Sequence, residues 1–476
     1  MEIERIDKKL LVKTSFWYTI SMFLTRGIGF ITTPVFTRLM TKEQYGDFAV
    51  YASWQSILLT ICSLELEGTI NRARFDYPER KDFQSYISSA LVLTSVVTGA
   101  IFALYMFFPH IFDRFFLIDR KYMYVMFAYL FANPAARVFQ TTQRIEYRYK
   151  LSSAISISVA LLSPLLGVAC ILLMKNDPLY GRILGQFFPY ILYGVVFYIY
   201  YLSNSRKISV SNWSYALRLG LPLVFSYLCN SIMLSSDTIV AKHLCAAEQV
   251  SYLSVAHSTS HVVTILVSTL NLAWAPWFYD LLKIKDYKEI KKVFKVYLWG
   301  MVGITFALLL IGPEVIQVLG GAAYKESLYT LPAYALSGVF TVLISQIVNL
   351  EVYHKKPEYA AVLTGIVAAL NIVLDIIGVK LWGYRAVCYA TVLCQVLLIV
   401  LHYIVAQRMG IQNTLSVKTL IASLCFTLLL IPISLLLYQS NTVRYTFIVV
   451  IIVVALTLII AKKDHVMSII RKYRNK

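Results

Sequence analysis

The sequence predicts an all-α protein that crosses a membrane about fourteen times. Hydrophobic residues make up 58% of the 476 residues and charged residues only 14%, and the mean hydropathy is +0.67. The apolar residues form runs of roughly 20 residues, the helix length that crosses a ~30 Å bilayer core. Only short polar gaps separate these runs, so no soluble domain is expected between them.

The positions of the apolar runs define the predicted spans. The basic segment 1–13 precedes a run of full span length without a small-residue cleavage site, so the first run is expected to remain as a span. Seven cysteines occur in or beside the runs without a C-x-x-C pair and are expected to be small buried side chains. The spans are predicted near 15–37, 45–64, 86–108, 122–143, 151–174, 183–203, 216–240, 250–277, 293–312, 329–350, 359–379, 385–407, 416–438 and 443–461.

The distribution of basic residues predicts the orientation. The formal net charge is +19, and with both termini inside, 30 of the 44 Lys and Arg residues lie in inside segments and 12 in outside segments. Basic residues are retained on the cytoplasmic side, where they meet anionic lipid. Both termini are therefore predicted to be cytoplasmic. The same distribution favours the lipid bilayer over nucleic acid as the partner of the positive charge.

A faint internal repeat predicts the domain organisation. Residues 38–51 align with 243–256 with four identities in fourteen, and each segment joins an odd-numbered span to the next. This predicts two parallel six-helix halves, 1–204 and 205–410, with the substrate cavity between them. Residues 411–476 are predicted to add two further helices and a basic cytoplasmic tail.

Several sequence motifs resemble those of bacterial polysaccharide repeat-unit flippases, the polysaccharide transporter branch of the multidrug/oligosaccharidyl-lipid/polysaccharide (MOP) superfamily. The resemblance spans roughly residues 15 to 405, and Tyr384-Arg385-Ala386 departs from the small residues usual in the family at that turn. The motifs are TRGIGFITTPVFTRLMTKEQYGDF, GTINRARFDY, SSDTIVAKHL, NLAWAPWF and HKKPEYAAVLTGIVAALNIVLDIIGVKLWGYRAVCYATVL.

The resemblance implies a MATE-like fold and a flippase in the bacterial inner membrane. It would move undecaprenyl-pyrophosphate-linked oligosaccharides from the cytoplasmic to the outer leaflet for capsule, O-antigen or exopolysaccharide synthesis, alongside a polymerase and other assembly proteins. A MATE-type drug or metabolite exporter is the alternative. A membrane polymerase or ligase fits less well, because the longest outer gap has about 16 residues and no P-loop is present. Neither enzymatic activity nor a cofactor is expected.

Five arginines are candidate cations for an anionic substrate. Arg26 lies in the middle of the first span, where an arginine should face a partner or a wet cavity. Arg72 and Arg74 follow the second span, and Arg137 and Arg144 lie on one face of the fourth. Planar guanidinium groups bond phosphate oxygens in pairs. For each arginine, a structural ion pair or a membrane-edge charge cluster remains open beside the substrate-binding role.

The remaining polar residues of the spans are candidates for ion coupling or cavity lining, or else for helix packing. Intramembrane carboxylates either couple to an ion or pair an arginine. Two histidines four residues apart could form a protonatable pair, and no metal site is expected because no third ligand sits with them at a fixed spacing. H⁺ and Na⁺ are both candidate coupling ions. These residues are Glu65, Glu67, Asn133, Gln140, Asp237, His257, His261, Asn271 and Asp375.

Overall fold

The computed structural model describes residues 21, 25, 27–146, 148–205 and 207–461, except the side chains of 454–456 and 458–461. Within these residues the chain forms helices α1 to α17 and no strand. Short 3₁₀ turns occur at Ala322–Tyr329 and Ile411–Asn413. The helices are α1 27–39, α2 Lys42–Ser63, α3 Leu66–Asp76, α4 Arg80–Phe107, α5 Pro109–Phe116, α6 Arg120–Ile145, α7 Tyr149–Leu173, α8 Pro178–Asn204, α9 Val210–Leu244, α10 Ala247–Lys283, α11 Tyr287–Leu310, α12 Gly312–Gly320, α13 Leu331–Tyr353, α14 Glu358–Trp382, α15 Ala386–Gln407, α16 Val417–Leu437 and α17 Asn441–Ala461.

The all-α membrane fold predicted from the sequence is confirmed. Every predicted span corresponds to a long helix, although α1 includes only the described part of the first span. Eleven helical stretches in the described chain are long and apolar enough to cross a bilayer. Helix α6 is not among the eleven, and it carries the polar residues Asn133, Arg137 and Gln140.

The residues that follow the second span, which include Arg72 and Arg74, form a separate helix, α3. A capping box starts α2, in which Thr41 Oγ1 accepts from the Gln44 amide at 3.2 Å and Gln44 Oε1 accepts from the Thr41 amide at 3.1 Å. Leu64 and Glu65 both have positive φ, 51° and 47°, so the helical path breaks between α2 and α3. This break turns the carboxylates that begin α3 towards α6.

Close helix contacts hold the bundle together on both sides of a central space. Helices α6, α7 and α8 pack against one another, while α10, α13 and α15, and α9, α14 and α15, form the opposite side. A side chain at Gly185 of α8 would collide with the Leu166 carbonyl of α7. Small residues of this kind let the backbones of membrane helices approach closely.

Helix α2 connects the two sides by packing against α9 and α10. Lys42 Nζ lies 2.7 Å from Glu248 Oε1, and Lys242 forms an ion pair with Asp47. The aligned segments 38–51 and 243–256 therefore lie against each other. The segment 38–51 contributes the base of one ion pair and the acid of the other. At this junction the Ala247 carbonyl occupies the place where a side chain on Gly46 would begin.

Gly46→Ala should lower the thermal unfolding midpoint of the purified protein, because an added Cβ forces α2 away from α10. Overpacking a tight contact costs about 1–3 kcal/mol. The matched control is Gly303→Ala in α11, where an added Cβ meets nothing within 4 Å. The control should match or exceed the wild-type midpoint, since Ala favours helix over Gly by about 1 kcal/mol. Equal midpoints for Gly46→Ala and the wild type would contradict the close approach.

Candidate functional site

A cavity of about 750 Å³ lies between the two sides of the bundle. Helices α1, α2, α7 and α8 form one wall, α9, α10 and α13 form the other, and α6 contributes Gln140. Hydroxyl, amide, phenol and imidazole groups alternate with apolar side chains along these walls. A polar cavity within an apolar bundle is the usual place for a transported solute.

Arg182 of α8 is the only Lys or Arg among the described residues that line the central cavity. Its side chain is only 6% exposed, and its guanidinium carbon lies 4.2 Å from the ring centre of Phe36, 4.8 Å from Tyr45 and 3.6 Å from Phe48. Aromatic faces attract a cation through the ring quadrupole, most strongly when water is excluded. Among the described residues no carboxylate forms an ion pair with Arg182. Its Nη1 donates to Met40 Sδ at 3.6 Å, and its Nε–H donates to no partner.

The predicted sixth span begins at 183 and leaves Arg182 in the preceding polar gap, and this boundary is wrong. Helix α8 begins at Pro178, so its first turns already belong to the bundle. The sequence carries the signal for this earlier start. Asp177 caps the helix, with its Oδ1 accepting from the Tyr180 amide at 3.0 Å, and proline is favoured in the first turn of a helix.

Two buried carboxylates, Asp237 and Asp375, form an acidic cluster with Asn371 and Thr391. Thr391 Oγ1 donates to Asp237 Oδ1 at 2.7 Å, and Asn371 Nδ2 lies 3.2 Å from Thr391 Oγ1 and 3.3 Å from Asp375 Oδ1. Tyr334 donates to Asp237 Oδ2 at 3.0 Å. Asp237 lines the central cavity, whereas Asp375 is fully buried and its Oδ2 has no partner in the described structure.

His257 and His261 of α10 also line the central cavity. Their ring centres are 5.0 Å apart, and the His257 ring lies 5.4 Å from that of Tyr334. The histidine pair thus borders the same wall as Asp237. In the described part of the chain, no group of three or more His, Cys, Asp or Glu side chains is arranged to hold a metal ion.

A second cavity of about 220 Å³, here called the side cavity, adjoins the central one. Asn133, Arg137 and Gln140 of α6 line it. Gln140, Val159 and Tyr190 line both cavities, so these side chains separate two adjacent spaces. The polar stripe predicted on the fourth span therefore faces protein cavities over these three residues.

Arg137 is neutralised by the two carboxylates at the start of α3. It forms a hydrogen-bonded ion pair with Glu67, and its Nη2 lies 3.7 Å from Glu65 Oε2. Glu65 is buried at the α2–α3 break. Arg137 is thus a paired cation of the side cavity and does not line the central cavity. The structural ion pair left open from the sequence is present, and the substrate-binding role stays a prediction.

The other candidates form local contacts away from the central cavity. Arg72 Nε lies 2.9 Å from Asp76 Oδ2, and Arg74 donates to the Pro78 carbonyl at 3.0 Å. Arg144 donates to Thr141 Oγ1 at 2.8 Å, and Asn271 accepts from Asn349 at 3.2 Å. Arg26 lies outside the described residues. The described members of this group are Arg72, Arg74, Arg144 and Asn271, and none of them lines the central cavity.

Comparison with known proteins gives both a family match and fold matches. A family model described as polysaccharide biosynthesis protein matches residues 11–282. A Haemophilus influenzae protein of the Lsg locus is 21% identical over 418 residues, which cover 84% of this chain and 98% of that protein.

Two solved structures share the fold over most of the chain. The lipid II flippase MurJ in an inward closed conformation has a TM-score of 0.65 at 14% identity, with 90% of this chain and 99% of that chain covered. A multidrug resistance MATE family transporter of the MOP superfamily, in an inward-facing conformation, has a TM-score of 0.59 at 16% identity, with 84% and 96% covered. The MATE-like architecture expected from the sequence is therefore confirmed.

Glu67→Leu should destabilise the protein by about 1.5–3 kcal/mol, because it removes the closest partner of a guanidinium group in the bundle. The double variant Glu67→Leu/Arg137→Leu should lose less stability than Glu67→Leu alone, since no unpaired charge remains. Thermal unfolding of the three proteins in the same detergent measures the difference. Strictly additive losses from Glu67→Leu and Arg137→Leu would show that the pair is not coupled.

Proposed function

The chain belongs to the polysaccharide biosynthesis protein family and has the fold of MOP-superfamily transporters, and from this premise we propose that it flips lipid-linked oligosaccharides across the membrane. The substrate class proposed is an oligosaccharide joined through pyrophosphate to undecaprenol, moved from the cytoplasmic to the outer leaflet. Its product would serve capsule, O-antigen or exopolysaccharide synthesis, with a polymerase acting next.

Arg182 is the observation that carries this proposal. A charge buried in a membrane bundle must be compensated, and an arginine normally finds a carboxylate. The three aromatic faces around Arg182 hold its charge. Its Nη1 donates only to Met40 Sδ, a weak acceptor 3.6 Å away, and its Nε has no partner among the described residues. A guanidinium group held in this way remains able to bond two phosphate oxygens at once. The central cavity therefore favours an anionic head group.

Asp237 is the observation that favours the alternative, a cationic drug or metabolite exporter. It lines the same cavity as Arg182 and has no basic partner in the described structure. Each oxygen of its carboxylate, however, accepts a hydrogen bond from a hydroxyl group, Oδ1 from Thr391 and Oδ2 from Tyr334, on the side of the acidic cluster. We therefore assign Asp237 to ion coupling and assign Arg182 to substrate binding.

The coupling ion is proposed to bind at the acidic cluster. Two buried carboxylates without a basic partner among the described residues are costly when both are charged. Either a bound cation compensates their charge or a proton neutralises one of them. Asp237, Asp375 and Thr391 present oxygen atoms at this cluster, while Asn371 Nδ2 donates to Thr391 and Asp375. Oxygen atoms suit Na⁺ or H⁺. An ion bound here drives transport only if its affinity differs between the two conformations.

The proposed location is the bacterial inner membrane, with both termini in the cytoplasm. The excess of Lys and Arg in the inside segments supports this orientation. The same orientation places the Lys42–Glu248 and Lys242–Asp47 pairs at the outer end of the bundle. The two parallel six-helix halves are likewise part of this proposal, and their movement about the cavity would expose it alternately to each side.

Arg182→Met should reduce the rate of flipping of a polyprenyl-pyrophosphate-linked oligosaccharide in proteoliposomes by about 10- to 150-fold. This factor corresponds to the loss of one hydrogen bond to a charged group, about 1.5–3 kcal/mol. Arg182→Lys should retain part of the rate, because it keeps the charge but loses the planar fork. Arg408→Met, at an exposed position after α15, is the matched control and should flip at the wild-type rate. A wild-type rate for Arg182→Met would contradict the assignment. Export of cationic dyes without lipid flipping would favour the exporter.

Asp375→Asn should abolish the response of flipping to an imposed Na⁺ or H⁺ gradient, because one carboxylate of the coupling site is removed. Binding of the lipid-linked substrate should change little, since Asp375 does not line the central cavity. The gradient response is measured by imposing each gradient separately on the same proteoliposomes. Asp280→Asn, at the exposed end of α10, is the control. A retained gradient response in Asp375→Asn would exclude the acidic cluster as the coupling site.

A further inference from the structure

The side cavity is lined by groups of a different chemistry from the Arg182 wall. Tyrosine side chains from α6 and α8 surround it, and the amides of Asn133 and Gln140 provide hydrogen-bonding groups. Leu59, Ala136 and Val159 supply the apolar remainder. The aromatic members are Tyr129, Tyr190 and Tyr193. Such a mixture of ring faces and neutral hydrogen-bonding groups matches the alternating apolar and hydroxyl surfaces of a sugar ring.

The charge of the side cavity argues against a second phosphate site. Arg137 is its only cation among the described lining residues, and two carboxylates, Glu65 and Glu67, already compensate it. A phosphate placed there would have to displace Glu67 or face an excess of negative charge. The side cavity is therefore suited to an uncharged ligand, whereas Arg182 remains available for an anion.

Asn133 provides a second, independent indication of a ligand. Its side chain is only 4% exposed, it lines the side cavity, and its Oδ1 accepts no hydrogen bond from the described part of the chain. A buried carbonyl oxygen without a donor costs about 1–3 kcal/mol. A hydroxyl or acetamido N–H group of a sugar would supply that donor.

We propose that the side cavity is the subsite that holds a sugar residue of the lipid-linked substrate while Arg182 holds its pyrophosphate. This inference rests on the proposed function and adds the division of the substrate between two sites. The sugar ring lies among the tyrosines, Asn133 Oδ1 accepts one of its hydrogen bonds, and Gln140 lies between the two cavities.

The spacing of the two sites agrees with one continuous substrate. Arg182 and Tyr193 both belong to α8 and are eleven residues apart. At 1.5 Å per residue this is about 16 Å along the helix axis. A pyrophosphate at Arg182 and a sugar residue farther along the same oligosaccharide can therefore occupy the two adjacent cavities together. Substitutions in the side cavity should thus lower the affinity for the sugar without changing the affinity for the pyrophosphate.

The experiment measures the binding of two probes to the full chain in nanodiscs: a polyprenyl pyrophosphate without sugar, and the same lipid carrying an oligosaccharide long enough to reach from Arg182 to the side cavity. The wild type should bind the sugar-bearing probe more tightly. Asn133→Leu should reduce the affinity ratio of the two probes by about 2- to 10-fold, the contribution of one neutral hydrogen bond. Arg182→Met should instead weaken both probes equally.

Asn349→Leu is the matched control, because Asn349 is also a buried asparagine of a long helix but bonds Asn271 away from the side cavity. It should leave the ratio unchanged. Gln140→Leu tests the same prediction should Asn133→Leu fail to fold. An unchanged ratio in the folded variants, or equal binding of both probes by the wild type, would overturn the sugar subsite alone. Failure of the wild type to bind either probe would overturn the proposed function together with it.

Discussion

The burial of the Arg182 charge is the interaction on which the geometry of the cavity depends. The guanidinium group of α8 stacks against aromatic rings from α1 and α2, so three helices must keep their relative positions for the charge to stay compensated. Cation–π contacts in a desolvated site are worth about 2 kcal/mol or more each. They hold the arginine at the wall while its donors remain unused by any carboxylate of the described chain.

Charges of the two signs are stabilised differently around the cavities. Of the described arginines that line the central and side cavities, Arg137 is paired with carboxylates and Arg182 is held by aromatic faces. Asp237 and Asp375 instead lie among hydroxyl and amide groups without a basic partner in the described structure. In the proposed function, substrate binding and ion binding are thereby assigned to different walls of the central cavity. Movement of the helices around that cavity can then change both affinities together.

The fold was largely predictable because a bilayer leaves few options for a backbone. Each segment must satisfy its own hydrogen bonds, so every apolar run of span length becomes a helix. Helix boundaries were less predictable. The predicted span starts five residues after the observed start of α8, so Arg182 was assigned to a loop although it lies in the wall of the central cavity. The Asp177-Pro178 pair carries the information, although hydropathy outweighs such capping signals when spans are assigned.

The candidate site was only partly predictable, because pairing depends on distance in space. Four of the candidates predicted from their polarity within apolar spans line the central cavity: Gln140, Asp237, His257 and His261. Nothing in the chain order indicates that Glu67 reaches Arg137, 70 residues later, or that Phe36, Tyr45 and Phe48 converge on Arg182.

The sequence by itself determined the all-α membrane class, the approximate spans, the family resemblance and the polar residues that a bilayer would not tolerate without a reason. Only the tertiary structure decided which cations are neutralised and which remain available in the cavity. The physical reason is that hydropathy is a local sum along the chain, whereas the compensation of a buried charge depends on which side chains from distant helices come within a few ångströms of it.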